Sequence, residues 1–156
     1  MNIVVDCRVF TKRATGVATY AIDAIRAICQ YIPEWHLTLV SPVPFHNSIV
    51  GLPLDKGDVV IEPMLGNVNI PNVIWFHLHF LKIAKRLKAD IVWTPRPETP
   101  ILSVGKAKRM ITVHDVVGKE FRETMTWKVK LFALPFVDIS INKADMIWCN
   151  SHYTLS

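Results

Sequence analysis

His114 and Asp115 follow an apolar run that is typical of a buried β-strand. Ligands of open α/β sheets bind at the carboxyl ends of the strands, so both side chains are candidates for a reaction site. The histidine could donate to a substrate hydroxyl or stabilise developing charge, and the carboxylate could bind a sugar hydroxyl or orient a loop. Adjacent strand residues point to opposite faces, so the two are not expected to act as one catalytic dyad. The alternative is a hydrogen-bonded polar pair without a role in chemistry.

A second candidate site lies near the N-terminus, where Thr15 and Gly16 open a predicted helix after a predicted strand at residues 2–6. Glycine at a helix start lets the backbone approach a ligand closely, and the free N–H groups and helix dipole favour a phosphate. Lys12 and Arg13 add positive charge in the preceding loop. The segment lacks the complete dinucleotide-binding fingerprint and the phosphate-binding lysine of nucleotide-binding loops. A glycine that only turns the chain into the helix is therefore the alternative.

Arg96 and Glu98 lie in a proline-rich loop, residues 94–100, which follows another predicted strand. The loop should reach the ligand-binding edge of the sheet, where the two side chains could bind an acceptor molecule or pair with each other. His77 and His79 lie on a predicted helix, about 200° apart around its axis. They cannot hold one metal ion together, and we predict ordinary surface or boundary histidines and no metal site.

Strand-like and helix-like segments alternate along the chain, which predicts an α/β fold with a parallel sheet and helices on both faces. The predicted strands are residues 3–5 (within 2–6), 36–40, 58–61, 90–93, 109–113 and 146–149, and the predicted helices are 17–28, 71–88 and 126–143. Pro135 is expected to kink the last helix, because its ring clashes with the preceding turn.

The length of 156 residues suits one domain, and 51% hydrophobic residues predict an ordered core. A net charge of +5 favours anionic partners, but the basic residues are scattered and do not indicate nucleic acid. Cys7, Cys29 and Cys149 lack metal-binding spacing and predict reduced, buried thiols. No run reaches the ~18–20 apolar residues that span a bilayer, and Asp6 interrupts any secretory signal. We expect a cytoplasmic protein, with peripheral contact at the inner face of the membrane left open.

Four segments, taken in order, resemble the N-terminal domain of family 4 glycosyltransferases, which are retaining enzymes of the GT-B fold. They are Ile3-Val-Val-Asp6 with Arg8, Thr15-Gly16-Val17 and Tyr20; Asp90-Ile-Val-Trp93 with the prolines after it; Met110-Ile-Thr-Val-His114-Asp115-Val116; and Lys143-Ala-Asp145-Met-Ile-Trp-Cys-Asn-Ser151. The resemblance covers nearly the whole chain. It implies a Rossmann-like domain, the acceptor-side half of a GT-B enzyme.

The resemblance implies that the complete enzyme moves a sugar of the mannose or glucose type from a nucleotide-sugar donor to a glycan or lipid-linked acceptor. Gly16 would approach the donor diphosphate, His114 would contact the transferred sugar, and Asp115 would shape the loop around it. The substrate-binding set is completed by Thr15, Arg13, Arg96, Glu98 and Ser151. Front-face attack assisted by the donor phosphate needs no protein nucleophile, and no cofactor is implied.

The family's nucleotide-binding second domain has no counterpart in the chain, and Asn150 and Ser151 open a predicted helix just before its last residues. We therefore expect a truncated domain whose missing C-terminal domain is its first partner. A cleft with one wall cannot orient a donor or exclude water, so the domain alone should be inactive. Thr19 stands where the family often places arginine, which leaves any additional charge contact there open.

Two other functions remain as alternatives. The first is a non-enzymatic Rossmann-like module that binds a phosphate ligand or a partner protein through the loop before Gly16. The second is a metal-dependent hydrolase that uses His114, Asp115 and one of His77 or His79.

Overall fold

The computed structural model describes residues 1–55, 57–62, 72–114 and 134–151. Its six strands are β1 (Asn2–Asp6), β2 (His36–Ser41), β3 (Gly57–Ile61), β4 (Ile91–Thr94), β5 (Lys108–Val113) and β6 (Met146–Cys149). They form one sheet in the order β3-β2-β1-β4-β5-β6, and every neighbouring pair is parallel. The predicted α/β fold with a Rossmann-like parallel sheet is thereby confirmed.

Three helices connect the strands that the structure describes. Helix α1 spans Gly16–Tyr31, α2 runs through the successive segments Asn72–Ile74, Trp75–Phe80 and Leu81–Arg86, and α3 spans Leu134–Lys143. The predicted kink at Pro135 concerns the junction with residues 126–133, which lie outside the described part of the chain. Within that part, no helix is both long and apolar enough to cross a membrane.

Helices α1 and α2 pack on opposite faces of the sheet. Helix α1 buries its apolar stripe in a cluster that includes Ile3 and Val5 of β1, whereas α2 belongs to a second cluster that includes Val4 of the same strand. Alternate residues of a strand point to opposite faces, so the unbroken apolar run of β1 feeds both layers. The central strands are therefore rigid supports for the loops at their carboxyl ends.

The middle of α2, Trp75–Phe80, is π-helical, where the sequence predicts an ordinary helix. Trp75, Phe76 and Phe80 are all buried there, and the rings of Phe76 and Phe80 stack with centroids 5.5 Å apart. The widened turn coincides with this dense burial of three aromatic side chains. Short π-helical segments inside α-helices are rare and occur often at functional sites.

Candidate functional site

The sheet has a switch point between β1 and β4, its two central strands. From β1 the chain proceeds through α1 to β2 on one side, and from β4 it proceeds to β5 on the other. In open α/β sheets, ligands bind in the crevice outside the carboxyl ends of the strands at such a point. Here the crevice is bordered by the short 3-10 turn Arg8–Phe10 after β1 and by the loop that follows Thr94.

A charged cluster occupies the bottom of this crevice. The Arg8 Nε and Nη2 atoms donate to the Asp6 carboxylate over 3.0 and 2.8 Å, and Nη2 also donates to Glu98 Oε2 over 3.0 Å. Asp6 is fully buried and the Arg8 side chain is only 5% exposed. We call this group the Asp6–Arg8–Glu98 cluster. It joins the ends of β1 and β4 by charge-assisted hydrogen bonds.

The guanidinium of Arg8 is also enclosed from the α2 side. Its Cζ atom lies 3.8 Å from the centroid of the Phe76 ring, which adds a cation–π contact. Burial opposes the charge of Arg8, but Asp6 and Glu98 outweigh it and raise the pKa of Arg8 above its ordinary value. Arg8 therefore stays positively charged, and its charge compensates the negative charge of the carboxylate oxygens that it contacts.

Arg96 and Glu98 pair with each other, as one of the two sequence-based interpretations predicts. Arg96 Nη2 lies 2.8 Å from Glu98 Oε1, while the other carboxylate oxygen accepts from Arg8. The Thr94 hydroxyl donates to the Glu98 carbonyl and fixes the loop backbone. Glu98 thus connects a buried arginine with a half-exposed one, and the pairing leaves the outer face of Arg96 accessible at the rim of the crevice.

Thr15 and Gly16 form the start of α1, as predicted. The Thr15 hydroxyl accepts from the Ala18 N–H over 3.4 Å and caps the helix. A Cβ built on Gly16 would have no heavy atom within 4 Å, so packing does not demand a glycine at this position. The open space beside Gly16 is where the sequence-based hypothesis places a ligand.

His114 follows β5, and its ring is half-buried. Its Nε2 lies 3.0 Å from the carbonyl oxygen of Pro95, which can only accept, so Nε2 carries the proton. Nδ1 then accepts from the side-chain amide of Asn150 over 3.4 Å. The Tyr20 ring packs edge-to-face against the imidazole, with the two ring centroids 5.0 Å apart. The ring therefore bridges the ends of β4, β5 and β6 in one defined orientation.

Two further predicted site residues are Asp115 and Ser151. Asp115 lies outside the described residues. Ser151 is exposed after β6 and lines a separate cavity with Met110 and Trp148 against the edge of the sheet.

His77 lines a cavity at this edge, where the sequence predicts only an ordinary surface or boundary histidine. Its Nδ1 accepts from the Ile101 N–H over 3.3 Å, so Nε2 carries the proton of the neutral ring. Burial lowers the pKa of His77 from its ordinary value, Arg8 lowers it further, and Glu98 opposes this change. The aromatic run around His77 is the signal present in the sequence, but it does not reveal that Arg8 and Glu98 lie nearby.

Two cavities open beside the charged cluster. The first, of about 390 Å³, has Arg8, Lys12, Arg13, Thr15 and Arg96 among its lining residues, and we call it the cationic cavity. The second, of about 520 Å³, is the apolar cavity. It is lined by Val73, His77, Arg96, Pro97, Glu98, Phe136, Val137 and Ser140. Both volumes fall in the range of small-molecule sites.

The described cysteines form no disulfide: Cys7 and Cys29 are buried, as predicted, whereas Cys149 is only partly buried. Among the residues described, no group of three or more histidine, cysteine or acidic side chains could hold a metal ion. His77 and His79 contact different partners, the Ile101 backbone and Glu62. No protein-family model matches the chain, and no curated protein matches it either.

Proposed function

We propose that this domain is the acceptor-side half of a retaining glycosyltransferase of the GT-B fold. The resemblance to family 4 stated above is the source of this proposal. The complete enzyme would transfer a hexose of the mannose or glucose type from a nucleotide sugar to a glycan or lipid-linked acceptor. A second, nucleotide-binding domain would close the cleft over the carboxyl edge of the sheet.

The observation that carries the proposal is the meeting of the relevant residues at one edge. Gly16 begins the helix after β1, Arg96 and Glu98 follow β4, and His114 follows β5. The contact between His114 and Pro95 ties the last two strand ends together. Parallel strands deliver all of these groups to the side where such sheets bind ligands.

Each group has a role in the proposed reaction. The acceptor hydroxyl attacks the anomeric carbon from the face that the diphosphate leaves, and a phosphate oxygen takes the proton. The open backbone at Gly16 lets the diphosphate approach the start of α1, where helix N–H groups favour negative charge. His114 would contact the transferred sugar through Nε2–H, in exchange for its contact with the Pro95 carbonyl.

A transfer assay tests this proposal. The whole gene product is incubated with a panel of uridine, guanosine and adenosine diphosphate hexoses, and the anomeric configuration of the product is read by NMR. We expect transfer with retention from at least one donor, and none from residues 1–156 alone, because a one-walled cleft cannot orient the donor. Equal transfer by residues 1–156, inversion of configuration, or no transfer from any donor by the whole gene product would contradict it.

The second candidate function is a non-enzymatic phosphate-binding module. The cationic cavity favours it, since four of its lining side chains are basic. Titration of residues 1–156 with nucleoside diphosphates, followed by amide shifts, separates the two candidates. Tight binding with shifts centred on Gly16 supports the module, whereas very weak binding is expected of the acceptor half of a transferase.

A further inference from the structure

The cationic and the apolar cavity share a wall. Arg96 lines both of them, and its partner Glu98 lines the apolar one. A ligand that occupied both cavities would have one end among basic side chains and the other among largely apolar ones, with Arg96 between the two ends. Such an arrangement suits an amphiphile with an anionic group at one end.

The cationic end carries surplus positive charge. Arg8 and Arg96 both contact Glu98, and Arg8 is further compensated by Asp6. Among the residues described, Lys12 and Arg13 form no ion pair, and both are exposed at the cavity. In the described part of the chain, four basic side chains thus line this cavity and two carboxylates pair with them, so the described wall carries more positive than negative charge.

The apolar end is built from two helices and a proline. Val73 of α2, Phe136 and Val137 of α3, and Pro97 of the loop supply its apolar surface. Val73 is 54% exposed and Phe136 is 39% exposed, although both line a cavity. A hydrocarbon chain in this cavity would remove their surface from water, which is the main source of affinity in an apolar site.

We propose that the acceptor is an anionic lipid, with a phosphate group in the cationic cavity and one hydrocarbon chain in the apolar cavity. This inference rests on the proposed glycosyl transfer and names its acceptor class. The phosphate contacts Arg13 and Arg96, and the chain runs past Pro97 between Val73 and Phe136. Gly16 is left to the donor diphosphate on the adjoining side of the α1 start.

Calorimetric titration of the full chain with monomeric alkyl phosphates tests the proposal. The probes are inorganic phosphate and butyl, hexyl and octyl phosphate below their micelle concentrations. Each added pair of methylenes should lower Kd roughly tenfold until the cavity is filled, given the free energy of burying a methylene. Octanol should bind more weakly than octyl phosphate, and added salt should reduce this difference.

Variants assign the two ends separately. Arg13→Glu should raise Kd roughly fivefold to tenfold for all alkyl phosphates alike and preserve the dependence on chain length. Val73→Ser should instead reduce the gain per methylene and leave the affinity for inorganic phosphate unchanged. Lys106→Glu, exposed before β5, and Tyr31→Ser, exposed at the end of α1, make matched changes outside both cavities and should alter neither quantity.

Several results would overturn the inference: a Kd that does not depend on chain length, an equal effect of Arg13→Glu and Lys106→Glu, or binding to anionic vesicles without binding to monomeric octyl phosphate. The last result would assign the affinity to a membrane surface. Sugar transfer by the whole gene product without alkyl phosphate binding would contradict the lipid acceptor but would still support the glycosyltransferase proposal. Alkyl phosphate binding without transfer from any donor would contradict the transferase and the acceptor role together, and would leave only a binding site for lipid phosphates.

Discussion

The Asp6–Arg8–Glu98 cluster and the His114 ring reach the same edge of the sheet but are held there by different forces. The cluster consists of charges, and its central pair is almost completely buried. His114 is half-buried and is fixed by a carbonyl, an amide and a ring edge, none of which is charged. A buried charge must be compensated inside the protein, so the cluster is tied to stability. The three contacts described for His114 involve no charged group, which suits a residue that serves a ligand.

The largest expected effect is on the stability of Arg8→Met. The substitution leaves Asp6 fully buried without its guanidinium partner, and breaking a buried pair in this way costs about 3–5 kcal/mol. Urea unfolding followed by circular dichroism measures the loss as a lower midpoint.

Arg26→Met is the matched control for this comparison. Arg26 pairs with Asp23 on the surface of α1, and both side chains are about half exposed or more. Exposed pairs contribute roughly 0–1 kcal/mol, so its midpoint should change little. Equal losses in the two variants would show that the cluster at the end of β1 is not a compensated buried pair.

The next effect concerns pH and His77. Burial and Arg8 depress the pKa of His77 in the folded state, so the unfolded state binds more protons as the pH falls. Stability is therefore complete above the ordinary histidine pKa and is lost as the pH falls through it toward the folded pKa. The slope should stay below about 1 kcal/mol per pH unit, since the ring is partly screened by solvent.

The variant His77→Gln measures this contribution. The glutamine carbonyl can still accept from the Ile101 N–H, but it does not titrate, so the free energy of unfolding should fall less steeply between pH 7 and pH 5. His36→Gln, in an exposed pair with Asp58, controls for the loss of one imidazole. An unchanged slope in His77→Gln would contradict the assigned burial.

The smallest effect on stability is expected from Gly16→Ala. A Cβ at Gly16 meets nothing within 4 Å, so the free energy of unfolding should change by less than about 0.5 kcal/mol. Sugar transfer should nevertheless fall, because the methyl group fills the space assigned to the donor diphosphate. Gly57→Ala is the contrasting control: its Cβ would lie 2.9 Å from the backbone oxygen of Leu37 and should destabilise the β2–β3 pairing. Transfer at the wild-type rate in Gly16→Ala would remove Gly16 from the site.

Local sequence patterns were sufficient to predict the fold and part of the site at the carboxyl edge of the sheet. The apolar run of β1 and the helical spacing of α1 predict both elements, and Thr15 is a recognisable cap. Arg96 and Glu98 pair within one loop, and this pairing is one of the two interpretations that the sequence allows. Such features depend on neighbours in the chain, so sequence reasoning can reach them.

The contacts of Arg8 and His77 could not be predicted in the same way. Arg8 meets Glu98 across 90 residues, and His77 meets the backbone of Ile101 across 24. Both contacts depend on how β1, α2 and the loop after β4 come together. His77 also lies in the π-helical turn of α2, so the direction of its side chain differs from the direction that an ordinary helix would give. The closeness of Asp6 and Arg8 after a buried strand is compatible with an ion pair, but it does not identify Glu98 as the second partner of Arg8.

Sugar transfer by the whole gene product carrying His114→Ala, compared with His36→Ala, tests most directly whether the carboxyl edge of the sheet is the reaction site. His36 lies at the amino end of β2, on the opposite edge of the sheet. We expect His114→Ala to lower kcat/KM by roughly 10²-fold or more with little change in stability, and His36→Ala to change neither. Full transfer by His114→Ala would contradict the assignment of the carboxyl edge as the reaction site.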